Sequence, residues 1–390
     1  MIKNYRIQSI DLLRGLVMII MALDHTRDFF HLDRSIGNDP LDFQTTSPVL
    51  FMTRWITHYC APVFVFLAGA SIFFAGRRKS TKEISFFLLT RGLWLIALEW
   101  TVIYFSWQNN FLYSIMILQV IWAIGLSMVF FSVLIYLPRK ILFGLGILIV
   151  FGHNLLDRYD EISDNLGGVI WSVLHVRHPF TWGQSHHIIV AYPVIPWIGT
   201  MILGFMFGEL YKSDFDADRR KKILLQLGFG SIVLFVLLRS LNIYGDASPW
   251  EYQSRTIFTV LSFVNTTKYP PSLLYLLMTI GPAMIFLAYV ENMKSKFFNH
   301  ISIFGRVPMF YYILHFYLLH AIAWILFFAS GHTTSELDFI NRFAGLPKNY
   351  GFHLWQVYLV WASVIFILYF PCKWYNNYKS THTHWWLSYV

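Results

Sequence analysis

The chain alternates long apolar runs with short polar segments along its whole length. Because a helix needs about 20 apolar residues to cross a bilayer, these runs predict membrane-spanning helices. We expect an all-α, polytopic helical bundle that forms one domain over residues 1–390. The pattern predicts about ten spans, at 11–30, 54–76, 84–106, 111–137, 141–156, 188–211, 223–241, 272–291, 305–329 and 353–375.

The composition excludes an ordinary soluble protein. Hydrophobic residues make up 56% of the chain and charged residues 13%, whereas soluble domains carry about 25% charged residues. In a soluble protein the net charge of +9 would suggest a nucleic-acid partner. Here the basic residues lie in short clusters between apolar runs, so we expect membrane lipid around the chain and no nucleic-acid partner.

The basic clusters also predict an orientation. About two thirds of the 30 Lys and Arg residues fall in segments on the same side as the N-terminus. Since cytoplasmic loops are enriched in these residues, the pattern favours both termini inside. The long connections at 31–53, 157–187, 242–271 and 330–352 then face outward.

The first span ends in a cluster of ionisable residues. Asp24, His25, Arg27, Asp28 and His31 follow an apolar run that contains few polar positions. Ionisable groups are costly at that depth, and they often mark a pathway or a reaction site. The alternative is an interfacial helix end whose charges lie among lipid headgroups.

Helical spacing indicates which members of this cluster are neighbours. Residues three and four apart share a face, so Asp24 lies beside Arg27, and Asp28 beside both His25 and His31. A carboxylate can hold an imidazole in one tautomer and stabilise its protonated form. We therefore predict that His25 or His31, held by Asp28, is the reactive group, with Asp24 in the same catalytic cluster.

Other ionisable residues could complete a site. Arg54 and His58, four residues apart at the outer end of the second span, could meet the cluster, and Lys268 lies at the outer mouth of the eighth. His315 lies about 15 Å into the ninth span, where a histidine is a functional candidate. The alternatives are interfacial anchors and a core imidazole bonded to a tyrosine.

The sequence offers little sign of a metal site. His175, His178, His186 and His187 lie near one another before the sixth span, but no acidic or cysteine ligand stands at a recognised spacing from them. We therefore expect no metal.

Several segments resemble a known family. They are RIQSIDLLRGLVMIIMALDH, YPVIPWIG, KYPPSLLYLLMTIGP, FGRVPMFYYILH and WWLSYV, and they resemble the bacterial branch of the heparan-alpha-glucosaminide N-acetyltransferase family. The resemblance implies a multi-pass acyltransferase of the bacterial inner membrane. Such an enzyme takes an acetyl group from cytoplasmic acetyl-CoA and gives it to an acceptor on the outer face. His25 aligns with a functional asparagine of the lysosomal enzyme, and His31 is the nearest equivalent of its catalytic histidine.

The residues can be assigned to this chemistry. Acetyl transfer needs a base or an acyl carrier, here His25 or His31, and donors for the developing oxyanion, here Arg27 or Arg54. Cationic groups nearer the inner face could bind the CoA phosphates, and these are Arg14, Arg91 and Arg306.

The sequence leaves the acceptor, the oligomeric state and an alternative function open. We expect an acceptor with an amine or a hydroxyl group, such as a saccharide or another envelope component, and the chain could be a monomer or a homodimer. A transporter or exporter of a small polar molecule is the alternative function. Transporters of that kind usually show paired, interrupted helices in related halves, and the sequence shows no such symmetry.

Overall fold

A computed structural model describes residues 7–32, 39–77, 79–160, 162–163, 165–183, 186–291, 293, 295–339 and 342–388. The two chain ends, residues 1–6 and 389–390, which are predicted to be cytoplasmic, lie outside the described residues. The described part is mostly helical, and its α-helices in chain order are α1 Gln8–Phe30, α2 Pro48–Ile56, α3 Cys60–Gly76, α4 Thr81–Leu98, α5 Tyr104–Gln108, α6 Val120–Leu134, α7 Arg139–Gly152, α8 Leu166–Leu174, α9 Ile195–Phe207, α10 Ala217–Leu241, α11 Thr256–Val264, α12 Leu273–Val290, α13 Lys296–Arg306, α14 Pro308–Ala329 and α15 Leu354–Thr381.

Hydropathy located most of the spanning helices. Seven helical segments among the described residues are long and apolar enough to cross a membrane: Pro48–Gly76, Thr81–Gln108, Arg139–Tyr159, Ala217–Leu241, Leu273–Val290, Pro308–Ala329 and Leu354–Thr381. Each coincides with one predicted span. The other three predicted spans correspond to α1, which is helical but carries several charges, and to α6 and α9, which have only 15 and 13 residues.

The expectation of an all-α chain was wrong in one region. A three-stranded sheet with the order β1-β3-β2 is formed by β1 Ile115–Leu118, β2 Pro179–Trp182 and β3 His186–Val190. β1 runs parallel to β3, and β2 runs antiparallel to β3. The predicted spans 111–137 and 188–211 therefore begin in strands, because a short apolar run has the same hydropathy in a strand as in a helix.

The predicted ninth span also begins differently. Arg306 is the last residue of α13, and Pro308 is the first residue of α14. Proline suits the first helical position because its missing N–H would have no partner there. Helices α8 and α11 lie inside two segments that the sequence analysis treated as loops.

The chain divides into two compact units. The first contains Met1–Cys60, Thr101–Ser114 and Val290–Val390, and the second contains Ala61–Trp100 and Ile115–Tyr289. In the first unit α1 packs against α13, α14 and α15. In the second unit α4 packs against α6, and α9 packs against α6 and α7.

Two glycines set how closely α1 approaches α13 in the first unit. A Cβ atom added to Gly15 would lie 2.1 Å from the carbonyl oxygen of Ile301, and one added to Gly305 would lie 1.9 Å from that of Asp11. Such separations are far shorter than any real contact. Only glycine therefore allows the two backbones to cross here, and this crossing fixes the position of α1 in the unit.

Candidate active site

Two histidines from distant parts of the chain meet in the first unit. His25 lies in the last third of α1 and His315 in α14. The Nδ1 atom of His25 is 2.7 Å from the Nε2 atom of His315, so the two rings share a hydrogen bond. His315 is fully buried, whereas His25 is partly exposed. One ring of this pair therefore remains within reach of a small molecule.

The backbone of α14 determines which ring donates the shared proton. The Nδ1 atom of His315 lies 3.2 Å from the carbonyl oxygen of Tyr311. A carbonyl oxygen only accepts, so His315 carries its proton on Nδ1, and its Nε2 atom is an acceptor when the ring is neutral. The Nδ1–H group of His25 must then donate to His315. In this tautomer the lone pair of the neutral His25 ring lies on Nε2, which is the atom able to act as a base.

Aromatic side chains surround the paired histidines. The ring of Phe316 stacks on His25 with a centroid separation of 4.5 Å, and Trp107 meets the same ring edge-on at 5.1 Å. Tyr312 approaches His25 at 6.4 Å and His315 at 5.4 Å. These contacts hold the imidazole of His25 in one orientation, as a base or a nucleophile requires.

The predicted charged cluster forms a separate network in the same unit. Asp24 forms ion pairs with Arg54, from α2, and with Arg27, whose Nη2 atom is 3.0 Å away. The Nη2 atom of Arg27 also donates to Asp28 over 2.6 Å. The expectation that Arg54 meets this cluster is thus confirmed. Two cations balance two carboxylates, which lowers the cost of burying them.

The structure gives Asp28 a cationic partner on its own helix. Asp28 accepts a hydrogen bond from Arg27, and the His25 ring bonds to His315, while the pairing of Asp28 with a histidine stays a prediction. Helical spacing identifies neighbours on one helix, but a guanidinium competes for the carboxylate more strongly than a neutral imidazole does. Arg27 also lies about 200° around α1 from His25, so its guanidinium does not face the histidine pair.

The other two predicted histidines are placed differently. His31 follows the last residue of α1, and its backbone pairs with Phe352. It lies six residues after His25, about 240° around the helix axis, so the structure does not bring the two rings together. His58 is fully buried in the short 3-10 segment Thr57–Tyr59, four residues after Arg54.

Two of the three predicted phosphate-binding residues lie together. Arg14 and Arg306 each approach Asp11 to 3.5 Å, at opposite carboxylate oxygens. Arg14 also donates to the carbonyl oxygen of Gly305 over 3.1 Å. The group of Asp11, Arg14 and Arg306 carries one net positive charge, and it stands at the crossing of α1 and α13.

The remaining predicted residues belong to the second unit. Arg91 in α4 stacks on Phe87 with its Cζ atom 5.9 Å from the ring centroid. Lys268 is buried, and its ammonium group lies 5.1 Å from the ring centroid of Tyr269. The structure therefore does not place either side chain in the unit that holds the histidine pair.

The sequence analysis missed a second histidine of α14. The Nδ1 atom of His320 donates to the carbonyl oxygen of Ser106 over 3.1 Å, and its Nε2 atom accepts from Asn109, also over 3.1 Å. His320 and Trp107 both pack against Phe29. The available signal was a second histidine five residues after His315 in the same apolar run.

A comparison with known families identifies the family of the chain. The sequence model of the family described as "Heparan-alpha-glucosaminide N-acetyltransferase, catalytic" matches residues 6–246. A comparison with the curated proteins finds no match. The family match covers more than half of the chain and includes α1 with His25 and the charged cluster. The chain therefore belongs to the heparan-alpha-glucosaminide N-acetyltransferase family, whose members are membrane-bound acetyltransferases.

Proposed function

We propose that this protein transfers the acetyl group of acetyl-CoA to an amine or hydroxyl acceptor, such as a saccharide, with His25 as the base. One observation carries the proposal: the hydrogen bond between His25 and His315, which leaves the lone pair of His25 on Nε2. The family consists of acetyltransferases, and an oriented imidazole pair with one partly exposed ring can serve as the base in acetyl transfer.

The step needs one proton acceptor and one proton donor. The acceptor nitrogen or oxygen attacks the thioester carbonyl carbon while its proton passes to Nε2 of His25, and the C–S bond then breaks. The imidazolium returns the proton to the departing CoA thiolate. During the step the Nδ1–H group of His25 continues to donate to His315, so the charge on the ring is shared through that hydrogen bond.

His25 could instead carry the acetyl group. In that mechanism Nε2 attacks the thioester carbonyl carbon and the C–S bond breaks, so that CoA leaves as a thiolate and an acetyl-imidazolium with its Nδ1–H group remains until the acceptor reacts. The two mechanisms differ in whether CoA is released before the acceptor reacts. A burst of CoA release without any acceptor would indicate the carrier mechanism, and its absence would indicate the base mechanism.

We propose that Arg14 and Arg306 bind the phosphates of CoA. Arginine suits this role because its planar guanidinium can donate two parallel hydrogen bonds to a phosphate. Arg14 precedes His25 by eleven residues on α1, which corresponds to about 16 Å along the helix axis. A donor with phosphates at one end and a thioester at the other end of a flexible arm would span that distance.

The proposed orientation supplies the two substrates from opposite sides. The distribution of basic residues supports an N-in arrangement in the cytoplasmic membrane. Arg14 would then lie towards the cytoplasm, where acetyl-CoA is present, and His25 would lie towards the outer face, where the acceptor would enter.

The proposal is tested with purified protein reconstituted in lipid vesicles. Acetyl-CoA labelled in the acetyl group is supplied on one side and glucosamine, as the amine probe, on the other. We expect labelled N-acetylglucosamine from the wild type and a loss of about 10²- to 10⁴-fold from His25→Ala. Passage of label without acetylation would instead support a transporter, and an unchanged rate in His25→Ala would refute the assignment of the base.

A further inference from the structure

A second group of histidines lies in the second unit. A 3-10 segment, His153–Tyr159, continues α7, and His175 follows the last residue of α8. The side chains of His153, Asp157 and His175 converge so that one ligand atom from each lies within 4.8 Å of the others. We propose that these three residues bind a divalent first-row transition metal ion, with zinc as the probe.

His153 gives the strongest indication of a missing ligand. Its side chain is 2% exposed, and within the described residues neither of its ring nitrogens has a hydrogen-bond partner. A neutral imidazole has one N–H donor and one lone pair, and buried polar groups of this kind are normally paired. A metal ion would accept the lone pair and would account for one of the two unpartnered ring nitrogens of His153.

Asp157 presents one oxygen to the same space. Its Oδ2 atom accepts a hydrogen bond from the side chain of Asn154 over 2.9 Å. Its Oδ1 atom is buried and makes no hydrogen bond in the described part of the chain, and it lies 3.6 Å from Nε2 of His175. Asn154 therefore orients the carboxylate so that one oxygen remains available as a ligand, an arrangement that is common around metal sites.

His175 is oriented by a further carboxylate. Its Nδ1 atom lies 3.2 Å from Oδ1 of Asp160, and its Nε2 atom lies 3.1 Å from the carbonyl oxygen of His153. In the structure the Nε2–H group therefore faces that carbonyl oxygen, and metal binding would release this proton while Nδ1–H stays hydrogen-bonded to Asp160, as in the carboxylate, histidine and zinc groups of many proteins. Trp171 stacks on the ring at 5.3 Å and limits its rotation.

The separation between Asp157 and His175 suits a metal ion of this size. Two ligands about 2.1 Å from a zinc ion at the tetrahedral angle lie about 3.4 Å apart, close to the 3.6 Å between Asp157 and His175. Two imidazoles and one carboxylate favour zinc, iron or cobalt over calcium and magnesium, which prefer oxygen ligands. Three protein ligands also leave at least one coordination position for water or another small molecule.

The sequence could not reveal this group. His175 was considered as a ligand, but with His178, His186 and His187, because these histidines are close in sequence. His153 and Asp157, which the fold places beside His175, belong to the 3-10 segment that follows α7 and precedes α8 in the chain. The competing arrangement is a protonated His175 between Asp157 and Asp160, which needs no metal.

The test measures metal binding by the full-length protein in detergent, independently of acetyl transfer. After treatment with a chelator, zinc and cobalt are added, and metal per chain is measured by elemental analysis and calorimetry. We expect one ion per chain and, with cobalt, the intense visible absorption of a four- or five-coordinate site. Asp160→Asn should weaken binding by about 10- to 100-fold without changing the stoichiometry.

Metal binding by substituted proteins distinguishes the proposed site from other histidines. His153→Ala, Asp157→Asn and His175→Ala should each abolish the stoichiometric binding, whereas a His186→Ala, His187→Ala double variant on β3 should keep it. If the ligand variants fail to fold, the cobalt spectrum of the wild type decides, because a spectrum of octahedral aqueous cobalt would overturn the proposal. Retention of one ion per chain in all three ligand variants would overturn it as well.

Discussion

The hydrogen bond between the two histidines leads to a quantitative prediction. In His315→Phe a ring of similar size remains between Tyr312 and Phe316, but the acceptor for Nδ1–H of His25 is lost. His25 can then place its proton on either nitrogen, and its imidazolium form loses a partner. We expect kcat to fall while KM for acetyl-CoA stays unchanged, because the proposed phosphate-binding residues lie about 16 Å away along α1.

The magnitude follows from the charge on His25 during the reaction. A hydrogen bond to a charged group contributes about 1.5–3 kcal/mol, and each 1.36 kcal/mol corresponds to about a factor of ten in rate. The loss in kcat should therefore be about 10- to 150-fold. This range lies mostly below the loss of about 10²- to 10⁴-fold expected when the base itself is removed in His25→Ala.

A double-mutant cycle distinguishes this role from a structural one. If His315 acts only through His25, then adding His315→Phe to His25→Ala should cost nothing more in kcat. His320→Phe is the matched control, because it also removes a buried histidine of α14 with its own hydrogen bonds. Release of the CoA thiol is measured per folded protein, with folding followed by thermal unfolding. Equal losses in His315→Phe and His320→Phe, or additive losses in the double variant, would refute the reasoning.

Three further predictions concern other parts of the chain. Gly305→Ala should lower the free energy of unfolding by about 1–3 kcal/mol, since its Cβ atom would collide with the backbone of α1, whereas Gly144→Ala, with nothing within 4 Å, should not destabilise the protein. Arg306→Ala should raise KM for acetyl-CoA by about tenfold or more with little change in kcat, and Arg306→Lys should lose less. A single cysteine at Thr45 should react with an impermeant maleimide in intact cells, and one at Ser213 only after the membrane is opened.

Each of these predictions has a clear contrary result. Equal stability of the two alanine variants would mean that α1 and α13 do not cross at the glycine pair. A fall in kcat at constant KM in Arg306→Ala would place this residue in the chemical step and not in donor binding. Labelling at Ser213 but not at Thr45 would invert the proposed orientation and would move His25 to the cytoplasmic side.

The helices could be predicted because the bilayer imposes a simple requirement. Every backbone polar group must be satisfied inside the apolar phase, so a long apolar run is almost always a helix. A short apolar run can form a paired strand instead of a helix, as β1 and β3 do. Ile115–Leu118 and the Ile188–Val190 end of β3 are as apolar or β-branched as the helices that follow them, and strand pairing between distant segments decides their structure.

The candidate site could be located from the sequence, but its internal pairing could not. The cost of burying charges drew attention to the end of α1, and the meeting of Arg54 with Asp24 was expected from their positions at helix ends of the same side. The partner of His25 lies 290 residues away. Spacing on one helix carries no information about which side chain of another helix will lie opposite.

Glu99 also shows that spacing along one helix does not identify the partner of a buried charge. This buried acid lies two turns after Arg91 in the same helix, and a carboxylate in an apolar span needs compensation. In the structure its two oxygens accept from the backbone N–H groups of Gln119 and Trp122, at the start of α6. The first N–H groups of a helix have no partner within the helix, so they offset part of the cost of burying a carboxylate. Burial of an ionisable residue therefore predicts that a partner exists, while the choice between a side chain and a helix end depends on how the helices pack.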